Sequence, residues 1–216
     1  MRQKRLSLLL ALATALPVAA ADDVAARLGK AVTVLNALTE SKHGIRPEQI
    51  ASADCIAVIP GFKKGAVVVG AGFGRGFISC RNNSGWSAPG AITLESGSVG
   101  VQFGGEEIDI VILSRDKEGR SKLLSDRFTI GSDASAAWGN GKSAHDDSDA
   151  KILFFGQTKG AFAGFGLDGA TLKPDESSNK QLYGTTLQNS KIVDGGTETP
   201  AVAKSLIKTL AEKANL

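Results

Sequence analysis

Residues 55–81 read CIAVIPGFKKGAVVVGAGFGRGFISCR, and this stretch decides the fold. Its apolar positions fall in short runs, Cys55 to Ile59, Ala66 to Ala71 and Gly76 to Arg81, without the three-and-four spacing of a helix. Between them stand Pro60-Gly61 and Gly72 to Gly74, residues that adopt turn conformations other side chains resist. The reading is short β-strands joined by tight turns. Connections this short pair successive strands antiparallel, because a parallel crossover needs a dozen residues or more. The same texture continues through Ala91 to Leu94, Val99 to Phe103 and Asp109 to Leu113, separated by Asn82-Asn83-Ser84-Gly85 and Pro89-Gly90. It resumes at Phe128 to Ile130, Ala134 to Trp138, Ile152 to Phe155 and Gly160 to Phe165. Glycine recurs here without a fixed period, which excludes collagen and solenoid repeats and marks bulges, bends and close backbone approach.

Helical patterns flank the strands. Asp22 and Asp23 stand where they can cap a helix whose apolar positions are Val24, Leu28, Ala31, Val32, Leu35 and Leu38. Gly44 and Pro47 end it. Lys117 to Phe128 has helical spacing at Leu123, Leu124 and Phe128, whereas Leu167 to Thr186 reads as turns with a few apolar residues. Near the C-terminus, Thr199-Pro200 caps and opens an amphipathic helix with Val202, Ala203, Leu206, Ile207, Leu210, Ala211 and Ala214 on one side. Lys204, Lys208 and Lys213 lie opposite, a face that suits either a packed core helix or a membrane interface. The expected class is α+β: a curved, mostly antiparallel or barrel-like sheet flanked by N- and C-terminal helices.

The first residues have a different character. Arg2, Lys4 and Arg5 precede an apolar run from Leu6 to Val18 and then Ala19-Ala20-Ala21, the three-part pattern of a secretory signal peptide. The expectation is cleavage after Ala21, one domain over residues 22–216, and a periplasmic or secreted product with peripheral membrane association open to it. Loss of the three leader cations takes the 25 basic residues to 22 against 22 acidic, so the basic pI belongs to the leader. A global electrostatic footprint for nucleic acid is therefore excluded. Charge is still uneven: between residues 42 and 81, Lys42, Arg46, Lys63, Lys64, Arg75 and Arg81 face only Glu48 and Asp54. In an oxidising compartment the pair Cys55 and Cys80 reads as one disulfide, with two buried thiols as the alternative.

Tests for chemistry fail one after another. Gly164-Phe-Gly166-Leu-Asp-Gly169 spells a dinucleotide fingerprint, but Pro174 interrupts the helix whose N-terminus would hold the pyrophosphate. His145-Asp146-Asp147-Ser148-Asp149 lacks the spacing, the glycine and the distal glutamate of a calcium loop. Ser87 has no nucleophile-elbow context, and the only histidines are His43 and His145. No catalytic residue, metal or cofactor is expected, and the chain reads as a binding protein. Its working surface is expected at Lys63 and Lys64 in a turn, Arg75 in the next glycine turn, and the aromatics Phe62 and Phe73 beside them, where cations and apolar rings meet an anionic phospholipid surface. An envelope protein partner, or an acyl chain enclosed in the barrel, are the alternatives.

The ordered motifs also carry a likeness. Ala53-Asp-Cys-Ile-Ala-Val-Ile-Pro60, Lys63-Lys64-Gly65, the glycines from Gly70 to Gly76, Gly85-Trp-Ser-Ala-Pro89, Gly160-Ala-Phe-Ala-Gly164 and Tyr183-Gly184 together resemble the SYLF domain family from about Ala25 to Gly184. That resemblance implies a non-enzymatic domain with affinity for lipid; eukaryotic members bind phosphoinositide membranes and, in some cases, actin or its regulators. Two segments depart from the family pattern: Ala136-Ala137-Trp138-Gly139-Asn140-Gly141, where members often have a Gly-Pro-rich run, and Leu153-Phe-Phe-Gly-Gln-Thr158. The resemblance thus implies the fold and a general lipid affinity. It does not extend to phosphoinositide or actin specificity, since an exported protein would not ordinarily meet either ligand.

Overall fold

The computed structural model describes residues 23–42, 44–66, 69–99, 104–131, 136–138, 150–158, 167 and 169–215. The leader, both histidines, the 145–149 loop and the Gly160 to Phe165 segment lie outside them. The described chain is α+β, with helices α1 (Val24–Glu40), α2 (Pro47–Ala51), α3 (Lys117–Leu123), α4 (Glu176–Tyr183), α5 (Asn189–Asp194) and α6 (Lys204–Ala214). Its strands are β1 (Cys55–Ala66), β2 (Val69–Asn82), β3 (Gly85–Trp86), β4 (Gly90–Val99), β5 (Gly104–Ser114), β6 (Phe128–Thr129), β7 (Ala136–Trp138), β8 (Ile152–Thr158) and β9 (Thr171–Pro174). They form one curled sheet in the order β6-β9-β4-β2-β1-β5-β8-β7, with β3 paired to the end of β2. Pairing is antiparallel except between β7 and β8, which are parallel.

The sheet corrects the expected turns. Pro60-Gly61 does not end a strand: β1 runs through it, and its pairing with both β2 and β5 shifts register there. Gly61 takes φ +61° and donates its N–H to Asp109 Oδ1 at 2.8 Å, a bulge held between two ladders. Likewise β2 is one strand of 14 residues, so Gly72 to Gly74 is not a turn. Period-two alternation sets Gly72, Gly74 and Gly76 on one face, where β1 presses close. A Cβ at Gly72 would stand 2.4 Å from Phe62 Cζ, and one at Gly76 would stand 2.1 Å from the Val58 carbonyl oxygen. Glycine here permits close contact between strands, and the curl follows from it.

Each face of the sheet has its own core. The inner face closes on itself through Ile59, Phe62, Ile78, Leu94, Ile110 and Phe128. The outer face presents Ile56, Val58, Phe77, Val111, Leu113 and Phe155 to Leu28, Leu35 and Leu38 of α1 and to Leu206 and Leu210 of α6. Asp23 caps α1 by accepting the Ala25 N–H at 2.9 Å, as its sequence suggests. Helix α6 begins after a short 3-10 turn at residues 201–203 and spends its apolar stripe on α1 and α2, which makes it a core helix. Cys55 and Cys80 are direct cross-strand partners with Cα atoms 3.9 Å apart, and they form the expected disulfide. Closing that loop stabilises the fold by about 3 kcal/mol.

Three helices escape the sequence reading: α2, which opens on Pro47, and α4 and α5. Helix α4 buries Ser178 and Asn179, and α5 buries Asn189 together with Ile192 and Val193. Asn179 Oδ1 accepts the Ala91 N–H at 2.7 Å, and Asn189 Nδ2 donates to the Ala91 carbonyl at 3.0 Å, so buried amides fix both helices on β4 while Ile192 and Val193 add apolar contact beneath α5. Tyr183 hydroxyl donates to the Pro89 carbonyl at 2.6 Å, and Gly184 closes α4 in the left-handed region at φ +73°.

Candidate functional site

Alternation along β2 sends Phe73, Arg75 and Phe77 to the outer face, and the helix layer covers them unequally. Phe77 is buried beneath α1, with the Arg27 guanidinium 5.2 Å from its ring. Arg75 is half-buried and lies over the Phe73 ring at 5.7 Å. Phe73 itself stands 47% exposed, one of two large apolar side chains left open to solvent among the described residues, the other being Val202. Directly across the ladder from Phe73 is exposed Lys63 on β1 and, on the other side, Glu95 of β4, which is ion-paired with Lys173 of β9. Lys63 in turn faces Glu107 of β5.

A second tier lies beneath this surface. Asp175, the N-cap of α4, is 5% exposed and places Oδ2 3.5 Å from both Arg75 Nε and Arg27 Nη1. Burial on its own would raise the carboxyl pKa; donors from the Ser178 hydroxyl and N–H, the Ser177 hydroxyl and the Arg75 charge hold it below the usual range instead. Asp109 moves the other way: burial pushes it up, against the Gly61 N–H and with the help of Glu107. Glu107, Asp109, Gln157, Thr158 and Ala37 line a cavity of about 120 Å³ beside Lys63's strand.

The expected surface is therefore partly reassigned. Phe62 does not reach solvent: the bulge at Gly61 turns it to the inner face, where it is wholly buried. Lys63 and Lys64 lie within a strand instead of a turn, and strand alternation sends them to opposite faces, Lys64 with Phe62 and Gly72. Arg75 is likewise a strand residue. What the fold brings together is Lys63, Phe73 and Arg75, with Asp175, Arg27 and Lys173 supplied by segments the sequence reading passed over. A signal for two of them existed. Arg27 interrupts the apolar face of α1 one turn from Val24, and Asp175 after Pro174 with serines following is a helix-cap pattern.

The motifs shared with the SYLF pattern mostly serve the scaffold. Ser87 is buried, accepts the Cys80 N–H and donates to the Ala88 carbonyl, so its hydroxyl braces the chain between β3 and β4. Arg81 lies over the Trp86 ring at 4.5 Å and donates to the Ala53 and Ile50 carbonyls, tying β2 to α2. Tyr183 reaches Pro89, so two distant motifs meet in one hydrogen bond. No three His, Cys, Asp or Glu side chains cluster as a metal site among the described residues, and no helix there is long and apolar enough to cross a membrane.

Comparison with known proteins supplies the family. The family model described as Ysc84, Las17-binding protein actin regulator, matches residues 95–213, a span that contains Glu107, Lys173 and Asp175 and follows Lys63, Phe73 and Arg75. The chain is 30% identical over 194 residues to the SH3 domain-containing YSC84-like protein 1 of Homo sapiens, covering 84% of this chain and 56% of the relative. It is 29% identical over 179 residues to protein YSC84 of Saccharomyces cerevisiae, covering 79% and 38%. An SH3 domain-containing protein of Schizosaccharomyces pombe is 29% identical over 178 residues, covering 78% and 41%. The chain thus spans between 38% and 56% of these relatives' own length. No solved structure matches it.

Proposed function

Because the chain belongs to the Ysc84 (SYLF) family, whose model covers residues 95–213 of its 216, we propose that it works by binding and not by catalysis, and that its ligand is an anionic phospholipid surface. One observation carries the reading: an exposed Phe73 held between the guanidinium of Arg75 and the ammonium-bearing Lys63 on an open sheet face. An aromatic ring enters the region between headgroup and acyl chain, while flanking cations meet phosphate. Lys64 adds charge from the opposite face of the same strand. With the leader read as a secretion signal, the site of action is the cell envelope, as a periplasmic or secreted protein at a membrane surface.

The test is sedimentation with vesicles of phosphatidylglycerol and, separately, of phosphatidylcholine, at low and at moderate salt. Retention by the anionic vesicles, weakened by salt and by Lys63→Glu, supports the proposal. Equal behaviour toward both lipids, or indifference to Lys63→Glu, overturns it. A second reading has its own support. The surface pairs its charges, Lys173 with Glu95 and Arg75 with Asp175, and sets Lys63 opposite Glu107, a pattern that suits a protein partner of the envelope. The family description names a protein partner, Las17. Lipid-independent capture of one envelope protein, lost with Phe73→Ala, is the outcome that selects this second reading.

A further inference from the structure

Arg75 is built into the protein from behind. Its Nε faces Oδ2 of Asp175 at 3.5 Å while its guanidinium lies over Phe73, so one side chain joins a buried carboxylate to an exposed ring. Asp175 is itself fixed. The Ser178 N–H, the Ser178 hydroxyl and the Ser177 hydroxyl donate to it at 3.1, 2.7 and 2.8 Å. Arg27 Nη2 donates to the Ser178 hydroxyl at 2.8 Å, and its Nη1 stands 3.5 Å from the same carboxylate oxygen. With so many donors the carboxylate stays where it is, and the arginine must come to it.

We propose that Asp175 is a positioning residue for the binding surface: it holds Arg75 through an ion pair and keeps the guanidinium over Phe73, so that a phosphate-bearing headgroup meets the arginine in one orientation. The inference rests on the binding reading above and extends it to a residue that never touches the ligand. A long arginine side chain held before binding loses less freedom when the ligand arrives. Asp175 is shared between two cations, Arg75 and Arg27, so the carboxylate does not by itself neutralise Arg75. Lysine is no substitute at position 75, since a compact ammonium has neither the Nε donor nor the planar stacking face.

The decisive variant is Asp175→Asn, which keeps a capping oxygen for α4 and removes the charge. Long-range electrostatics alone has this loss of an acid strengthen attachment to phosphatidylglycerol vesicles. Positioning gives the opposite result, a loss of about fivefold, comparable to one arginine at an anionic surface. Arg75→Lys, which leaves the α4 cap intact, is expected to lose as much, and Arg75→Ala combined with Asp175→Asn no more than Arg75→Ala alone. Unchanged or tighter binding by Asp175→Asn, or additive losses in the double variant, overturns the proposal. Restricted motion of the Arg75 Nε–H bond in NMR relaxation, released in Asp175→Asn, reads the anchor without lipid. If the unaltered protein ignores vesicles, the binding reading fails, and this resonance still decides the anchor: equal mobility in both proteins refutes it.

Discussion

On strand β2, positions 72, 74 and 76 answer to shape, while positions 73, 75 and 77 answer to charge and exposure. The first set is all glycine because β1 and the Phe62 ring leave no room for a Cβ. The second runs from the buried Phe77 through the half-buried Arg75 to the exposed Phe73, each ring covered or flanked by an arginine. One strand therefore carries a face that cannot vary without moving its neighbour and a face whose exposed end, at Phe73, can be altered with little effect on the fold. The lesson is that a glycine-rich strand need not be a loose one. Where every second residue lacks a side chain, a neighbouring strand and its rings can press close, and function is left to the residues in between.

The comparison can be broken by experiment, most severely on the inner face. Phe62→Ala empties the centre of the inner core and is expected to cost about 3–5 kcal/mol in urea denaturation, with vesicle binding per folded molecule unaltered. Loss of binding at full stability would erase the division between the faces. The joint substitution Cys55→Ala with Cys80→Ala frees the base of the same hairpin and is expected to cost about 3 kcal/mol, read as a lower thermal midpoint. On the outer face the order reverses. Phe73→Ala should leave stability within about 0.5 kcal/mol and reduce retention by phosphatidylglycerol vesicles roughly fivefold. A large stability loss there would make Phe73 a core residue after all.

The smallest effect is one of pH, and it sharpens the contrast between two outer-face carboxylates. Asp109 is raised in the folded state by burial, so ionising it opposes folding once pH exceeds the unfolded carboxylate's pKa. Asp109→Asn, which still accepts the Gly61 N–H, should be slightly more stable than the unaltered protein at neutral pH, and that gain should vanish in acid. Although burial also penalises its charge, Asp175 is held low by the serine donors and Arg75, so its contribution is present above the unfolded value and is lost as pH falls through the folded one. Asp175→Asn should therefore flatten the acid limb of the stability profile. Identical pH profiles for the two variants would remove the distinction.

Much of this architecture can be read from residues alone. The strand texture after Cys55, the short connections, the Asp23 cap and the stripes at both ends give an α+β protein with an antiparallel sheet and terminal helices, and the cysteine pair gives its disulfide. Pro60-Gly61 and Gly72 to Gly74 misled because turn chemistry is a local preference, and a ladder on both sides overrides it with a bulge and an extended strand. Helix α4 was hidden because buried Ser178 and Asn179 stand where an apolar stripe would be, and α5 because two apolar residues, Ile192 and Val193, are too few to show a helical period.

What the sequence determined by itself is whatever depends on near neighbours: the period of the longer segments and the cap at Asp23. Which face each residue meets was decided only by the tertiary structure. A single-residue bulge reverses every side chain after it, turning Phe62 inward and setting Lys63 on the outer face beside Phe73. The arginine at position 27 finds Ser178 from 151 residues away, a separation over which no local pattern operates. Contacts of that kind exist only once the sheet has curled and the helices have settled on it.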